Sequence, residues 1–210
     1  MTAVVTLSSG ILFGPNCGMG ELRHDGSDVA DSTGDVQVRL YGHPRWTLSL
    51  VSPSRLRNAE AAKWRSLVLS LKGRINVLAA GDVVQTVPRG TMRGSITLRS
   101  SHAAGAETLL LTAGSGQAAT TILAGDFLQV STGYGTSQLV CATADATANG
   151  SGQIDVPIAH PLRDAYASGI AVAWDHPLGY FRMMQERNSW QYSGTGLHQS
   201  GYSIDLVEQW

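Results

Sequence analysis

Six histidines, two cysteines and 16 acidic residues are the side chains best able to do chemistry in this chain. His24, His43, His102, His160, His176 and His198 never fall at the close helical spacing that places two imidazoles on one metal ion. His43, His160 and His176 each precede a proline, which favours extended or turn backbone, so they read as surface or hydrogen-bonded turn residues. Asp25 and Asp28 stand near His24 but lack the regular oxygen-ligand spacing and terminal Glu of a calcium loop, and a turn explains them. Cys17 and Cys141 are too few for a disulfide framework and have no metal-ligand spacing; two buried free thiols are the better reading, with a disulfide the alternative.

Nucleophilic and phosphate chemistry find no better support. No serine sits in a nucleophile-elbow pattern. The stretch from Gly14 to Gly20 reads as a loop and lacks the Lys and Ser/Thr that follow a P-loop. Gly114-Ser115-Gly116 and Gly150-Ser151-Gly152 read as turns. A glycosidase needs two carboxylates about 5 to 10 Å apart in space, and the acids here are scattered through turn-like segments. The sequence thus assigns no catalytic residue, no metal and no cofactor. Aromatic rings are a different matter, because Trp174, Tyr180, Trp190, Tyr192, Tyr202 and Trp210 crowd the C-terminal part. Exposed rings could stack on a glycan, whereas interfaces and cores use the same residues. Burial in the core or between subunits is the preferred reading.

The elements that position these residues follow from composition and period. The 210 residues suffice for one substantial domain or two small ones, and 43% hydrophobic content predicts a real core. Only 15% are charged and 24 are glycine, which suits short strands, tight turns and a surface covered by neighbours. A net charge of −1 excludes a global field that would recruit nucleic acid or an anionic membrane. Residues Met1 to Gly10 have no basic region or long apolar run, so no signal peptide is read there. No window approaches the ~18 to 20 apolar residues of a spanning helix. The expectation is a soluble protein made in a cytoplasm.

Residues 1–35 read as an irregular segment with short strands at Val4–Leu7 and Ile11–Phe13 and a turn at His24–Asp28. Val36, Val38 and Leu40 alternate with polar residues, as do Trp46, Leu48 and Leu50, which predicts two strands joined in a hairpin. A helix is predicted over 58–72, with Asn58 as cap, Ala61, Trp64, Leu67, Val68 and Leu71 on one face, and Gly73 ending it. A strand resumes with Ile75, Val77 and Ala79. From 86 to 173 charge thins and short apolar groups recur at Ile96–Leu98, Leu109–Leu111, Phe127–Val130, Leu139–Cys141, Ile154–Val156 and Ile170–Val172. That spacing predicts a small all-β sandwich or barrel inserted into a first domain made of 36–85 and 174–210. Strands at Tyr180–Met184 and Tyr202–Glu208 complete that domain.

The ordered series of strand Trp46–Leu50, helix from Asn58 through Trp64, Leu71-Lys-Gly73, Leu123-Ala-Gly125-Asp126 with Phe127–Val130, Gln138–Val140, Ala144–Gly150, Ile154–Val156 and Pro161-Leu-Arg163 resembles minor tail proteins of siphophages, particularly distal tail and hub-like tail-tip proteins. The similarity covers about residues 36 to 208. The resemblance implies a mainly β fold: a tail-tube-like β-barrel or sandwich with one α-helix, plus an inserted small β-barrel. It further implies a non-enzymatic virion protein forming a homo-oligomeric ring, hexameric by analogy. Its partners would be copies of itself, the tail tube, and hub, fibre or receptor-binding proteins. No membrane or sequence-specific nucleic-acid partner is implied, although DNA could pass through the channel. A carbohydrate-binding module for a host glycan is the alternative, and a cell-wall hydrolase a weaker one.

Overall fold

The computed structural model describes residues 2–24, 26–30, 36–40, 42–185, 191–192 and 199–210. The chain begins with β1 (Val4–Thr6), β2 (Gly18–Arg23), β3 (Gly26–Ala30), β4 (Val36–Leu40) and β5 (Arg45–Val51). Helix α1 (Asn58–Leu71) and β6 (Val77–Ala80) follow. Next come β7 (Ile96–Leu98), β8 (Thr108–Thr112), β9 (Thr121–Ile122), β10 (Phe127–Val130), β11 (Gln138–Cys141), β12 (Ala146–Thr147), β13 (Gln153–Pro157) and β14 (Ala171–Ala173). The last strands are β15 (Gly179–Met183), β16 (Gln191–Tyr192), β17 (Gln199–Ser200) and β18 (Ser203–Glu208). The fold is mainly β with one α-helix.

One six-stranded sheet runs β1-β6-β15-β18-β5-β2 and so draws on both ends of the chain. Its strands alternate in burial because successive side chains leave a strand on opposite faces. Leu48, Leu50, Ile204, Leu206, Phe181 and Met183 point to one face and are buried there against α1. The other face carries Thr47, Ser49, Asp205, Tyr180 and Arg182, all half-buried, with the Ser49 hydroxyl donating to Asp205 Oδ1 at 2.6 Å. The helix buries the five residues spaced for one face: Ala61, Trp64, Leu67, Val68 and Leu71. Its first turn is held by Glu60, whose Oε2 accepts from the Arg57 backbone N–H at 2.9 Å. Trp64 stacks on Tyr202 (5.9 Å, 24°), meets Phe13 edge-on (5.9 Å, 82°), and donates its indole N–H to the Leu12 carbonyl.

The second sheet, β11-β10-β14-β7-β8-β13, is built from the six apolar groups that the sequence spaces between turns. It curls until its outer strands meet. Ala142 bridges Ile158, the Thr143 N–H donates to the Pro157 carbonyl at 3.0 Å, and the Ala159 N–H donates to the Cys141 carbonyl at 2.9 Å. The result is a small closed barrel filled by Leu98, Leu109, Leu111, Leu128, Val130, Val140, Ile154, Val156 and Val172. It leaves the first sheet after β6 and returns at β15, two strands that are themselves paired. The exit and return segments therefore touch, and a Cβ on Gly81 would collide with the Pro177 carbonyl.

Several local expectations are corrected. Residues 1–35 hold three strands, two of them in the main sheet, and no strand forms at Ile11–Phe13. The segment Gly18-Met-Gly-Glu-Leu-Arg, read partly as a loop, carries too little alternation to announce β2; pairing to β5 makes it a strand. The turn expected at His24–Asp28 is replaced by the start of β3. Strand β4 pairs with β3, while β5 pairs with β2 and β18, so the expected β4–β5 hairpin is absent. The break at 42–44 looks like a hairpin turn, yet the strands on either side of it belong to different sheets. Arg57 rather than Asn58 caps α1 at its start, and Lys72 (φ 49) precedes Gly73 (φ 63) in the left-handed region at its end. Ile75 lies outside β6 and is exposed.

Trp64 joins helix, sheet and N-terminal loop, so its loss tests this packing. Trp64→Ala is expected to cost about 3–5 kcal/mol in urea unfolding. A loss below about 1 kcal/mol would show that the helix does not depend on it.

Candidate functional site

The most concentrated polar chemistry in the described residues lies where the barrel meets the helix-backed sheet. Strands β10 and β11 turn Phe127, Leu139 and Cys141 away from the barrel interior and onto the first core. Trp46, at the start of β5, inserts between the two halves. Its indole N–H donates to the Leu139 carbonyl at 3.0 Å, and its ring meets Phe127 (5.2 Å, 73°) and His160 (5.9 Å, 71°) edge-on. Its backbone N–H donates to Glu208 Oε2 at 3.3 Å.

Arg163 and Glu208 are buried beside it. The Arg163 Nη2 donates to the Ser137 carbonyl at 2.7 Å, and its backbone N–H donates to Gln138 Oε1 at 2.8 Å. Its guanidinium carbon lies 3.8 Å from the centre of the Trp210 ring, a cation–π contact. Its Nη1 stands 3.9 Å from Glu208 Oε1, an ion pair too long for a hydrogen bond. Burial pushes the Glu208 carboxyl above its usual range, and Arg163 opposes that shift. Burial likewise lowers Arg163, with Glu208 pulling it back up. Tyr166, which donates to the Thr136 carbonyl at 3.2 Å, is raised by burial and lowered by Arg163. This is a structural clamp: it desolvates charges and pairs them, which fixes one docking of barrel on sheet.

A second anchor is Asp126, which is fully buried. Its two oxygens accept from the backbone N–H groups of Arg89 (2.7 Å), Gly90 (2.9 Å) and Leu123 (2.9 Å), and from Gln85 Nε2 at 3.3 Å. Residues 85–90 are the exit segment, so Asp126 ties that segment to the barrel. Gln129 does the same for the return, accepting from the Leu178 N–H at 3.0 Å. Between the two segments lies an apolar cavity of about 200 Å³, lined by Leu7, Phe13, Val83, Phe127, Pro177 and Leu178.

The aromatics read from sequence do not share one surface. Trp174 is buried in the barrel core, with its N–H donating to the Gly94 carbonyl and Arg93 4.9 Å from its ring centre. Tyr202 is buried beneath α1. Tyr180 lies on the open face of the sheet, 5.7 Å from Tyr134. Trp210 is partly exposed between Arg163 and Arg45. Trp190 lies outside the described residues, as does the side chain of Tyr192.

The histidines scatter too, and His198 and Asp25 lie outside the described residues. His102 Nε2 accepts from the Leu110 N–H, which leaves Nδ1 to donate to the Ser100 carbonyl. His176 is exposed beside Asp175 at 2.9 Å. His160 departs from the surface-turn reading: it is buried, and neither ring nitrogen has a hydrogen-bond partner among the described residues. Cys17 and Cys141 are both free and half-buried. Gly150-Ser151-Gly152 forms a turn as expected, whereas Gly114 instead opens a short 3-10 helix (Ser115–Gln117); the two meet through the Ala113 N–H and the Gly152 carbonyl. Arg163 and Glu208 gave no sign of pairing in the sequence, being 45 positions apart with no local pattern linking them.

Among the described residues no group of three or more His, Cys, Asp or Glu is placed to hold a metal ion, and no helix is long and apolar enough to cross a membrane. Compared with known proteins, the chain matches no family model and no curated protein.

The clamp is testable without knowing the function. Asp126→Asn turns an amide toward backbone donors, and a loss of roughly 2–4 kcal/mol is expected. Trp46→Phe strands the Leu139 carbonyl and is expected to cost at least about 1 kcal/mol. Urea unfolding of each variant measures both, and wild-type stability in either would remove that anchor from the account.

Proposed function

We propose that this chain is a structural subunit that assembles with copies of itself into a ring, in the manner of a distal tail or tail-tip protein of a long-tailed bacteriophage. One observation carries the reading: among the described residues, the main sheet is left unpaired at both edges. Among the described residues β2 pairs only with β5, and β1 only with β6, whereas the barrel closes on itself. Strands β3 and β4 form a ribbon that pairs with no other strand among those residues. Two-stranded ribbons are marginal alone in water, and open edges are templates for pairing with another chain.

The topology limits how copies could join. Strands β6, β15, β18, β5 and β2 are successively antiparallel, and β1 is parallel to β6. Strands β1 and β2 therefore run in the same direction at opposite edges. Rotation about an axis along the strands would set the β2 edge of one copy against the β1 edge of the next, in parallel register. That is a heterologous contact, which closes into a ring when the rotation divides the circle. The half-buried polar face of the sheet would then be free to line a channel, with α1 backing the other face.

Exposed apolar residues support the same reading. Val4, Leu69 and Ile75 are 46%, 59% and 60% exposed. They neighbour the bracket in which Asn76 accepts from the Ala3 N–H and donates to the Ser70 carbonyl, next to the β1 edge. Leaving such groups in water is unfavourable, and covering them stabilises an assembly. The resemblance to siphophage tail-tip proteins adds the place of the ring, in the virion between tail tube and receptor-binding apparatus, with six copies by analogy.

Val4→Lys puts a charge at the β1 edge, where the side chain is already exposed. It is expected to leave folding intact and to shift assembly to at least tenfold higher concentration by light scattering. Equal assembly of variant and wild type would exclude this edge. A wild-type chain that stays monomeric, is missing from virions and binds glycans on an array would favour the carbohydrate-binding alternative.

A further inference from the structure

We propose that His160 makes the barrel–sheet junction an acid-released latch, closed while the imidazole is neutral and opened when it takes up a proton. The site has the geometry of a group that can be buried only uncharged. His160 is 2% exposed, both ring nitrogens lack a hydrogen-bond partner among the described residues, and the Trp46 ring covers it at 5.9 Å. A buried imidazole with no acceptor nearby loses its hydration on becoming a cation and gains nothing in return.

Its charged surroundings make protonation worse. Arg163 lies in the same loop, and the charges of His24 and His43 act on His160 from either side of the β2–β3 and β4–β5 breaks. Arg45 follows His43 at the start of β5, so every near neighbour among these is basic. Among the described residues Glu208, on β18, is the one buried carboxylate of the junction, and it is already committed to Arg163 and the Trp46 N–H. Asp164 is exposed, Tyr166 is held by the Thr136 carbonyl, and the Cys141 thiol is raised by burial, so none supplies a counter-charge in mild acid. Burial first, then Arg163, His24 and His43, lower His160 from its ordinary 6.5 to about 4.

The sign follows from proton counting. Between pH 6.5 and 4 the unfolded or opened chain carries a proton on His160 that the closed form refuses. Stability is therefore full above 6.5 and falls by up to tenfold in equilibrium constant per pH unit down to about 4. Over that window the loss reaches roughly 300-fold. Glu208 works the other way: its raised pKa means the closed form binds that proton first, so acid favours closure through Glu208. The two groups therefore oppose each other in acid, and substitution of His160 separates its contribution from that of Glu208.

Urea unfolding between pH 7.5 and 4.5, on the full chain and on His160→Phe, separates these contributions. The wild type is expected to weaken steadily below pH 6.5, while His160→Phe stays flat or strengthens slightly as Glu208 is protonated. Should the Phe variant fold poorly, His160→Gln serves, since its amide never gains charge. The latch has its own readout in hydrogen exchange of the Trp46 indole N–H, corrected for the intrinsic pH dependence. Wild-type protection of that proton should fall at least tenfold between pH 7 and 5, and the variant's should not. Parallel stability curves for wild type and both variants, or unchanged Trp46 protection, would overturn the proposal.

Discussion

Trp46 is held from three directions at once: its indole N–H on a barrel carbonyl, its backbone N–H on Glu208, and its ring against Phe127 and His160. The docking of the barrel on the sheet depends on that clamp. The barrel is inserted between two neighbouring strands of the sheet, so both of its tethers leave from one end. A body on two adjacent tethers could swing. The clamp stops it by giving β11 a double duty, with Val140 facing the barrel core and Leu139 facing the core beneath α1. Because Arg163 and Glu208 are desolvated in the same place, an open junction would have to rehydrate them separately, and intermediate dockings gain neither pairing nor water.

The two halves solve the edge problem of β-structure in opposite ways. In the barrel, the ends of β13 and β11 meet at the Ala142–Ile158 bridge. In the main sheet α1 seals one face, yet nothing among the described residues pairs with the outer edges of β1 and β2. An open six-stranded sheet in a chain with few charges would ordinarily be guarded by lysines or prolines at its edges. Neither β1 nor β2 contains one, although β2 carries Glu21, Arg23 and a register shift between Met19 and Glu21. In the proposed ring, the main sheet would make the contacts between copies and the barrel would face outward.

How far the sequence could be read depended on where each signal came from. The six barrel strands were legible because each is a short apolar group between turn residues, and α1 because Ala61, Trp64, Leu67, Val68 and Leu71 keep helical spacing. Strands β5 and β18 showed clean alternation. By contrast β2, with Gly18, Gly20 and Glu21, has no pattern of its own and exists because β5 offers a row of partners. The β4–β5 connection misled because two alternating segments around a short break have the same local signature whether or not they pair. The junction was not legible at all. His160 looked like a turn histidine beside a proline, and whether such a residue is buried is decided by Trp46, 114 positions away. The Arg163–Glu208 pair is likewise a product of tertiary packing, as is the burial of Trp174 and Tyr202 in different cores.

The central claim is that the open edges of the main sheet join copies of this chain into a closed ring. Electron cryomicroscopy of the protein assembled at high concentration tests it most directly. The account predicts a cyclic oligomer in which β2 of each copy pairs in parallel with β1 of the next, forming one continuous sheet around a central channel. Particles joined through the barrels, with β1 and β2 exposed to solvent, would contradict it.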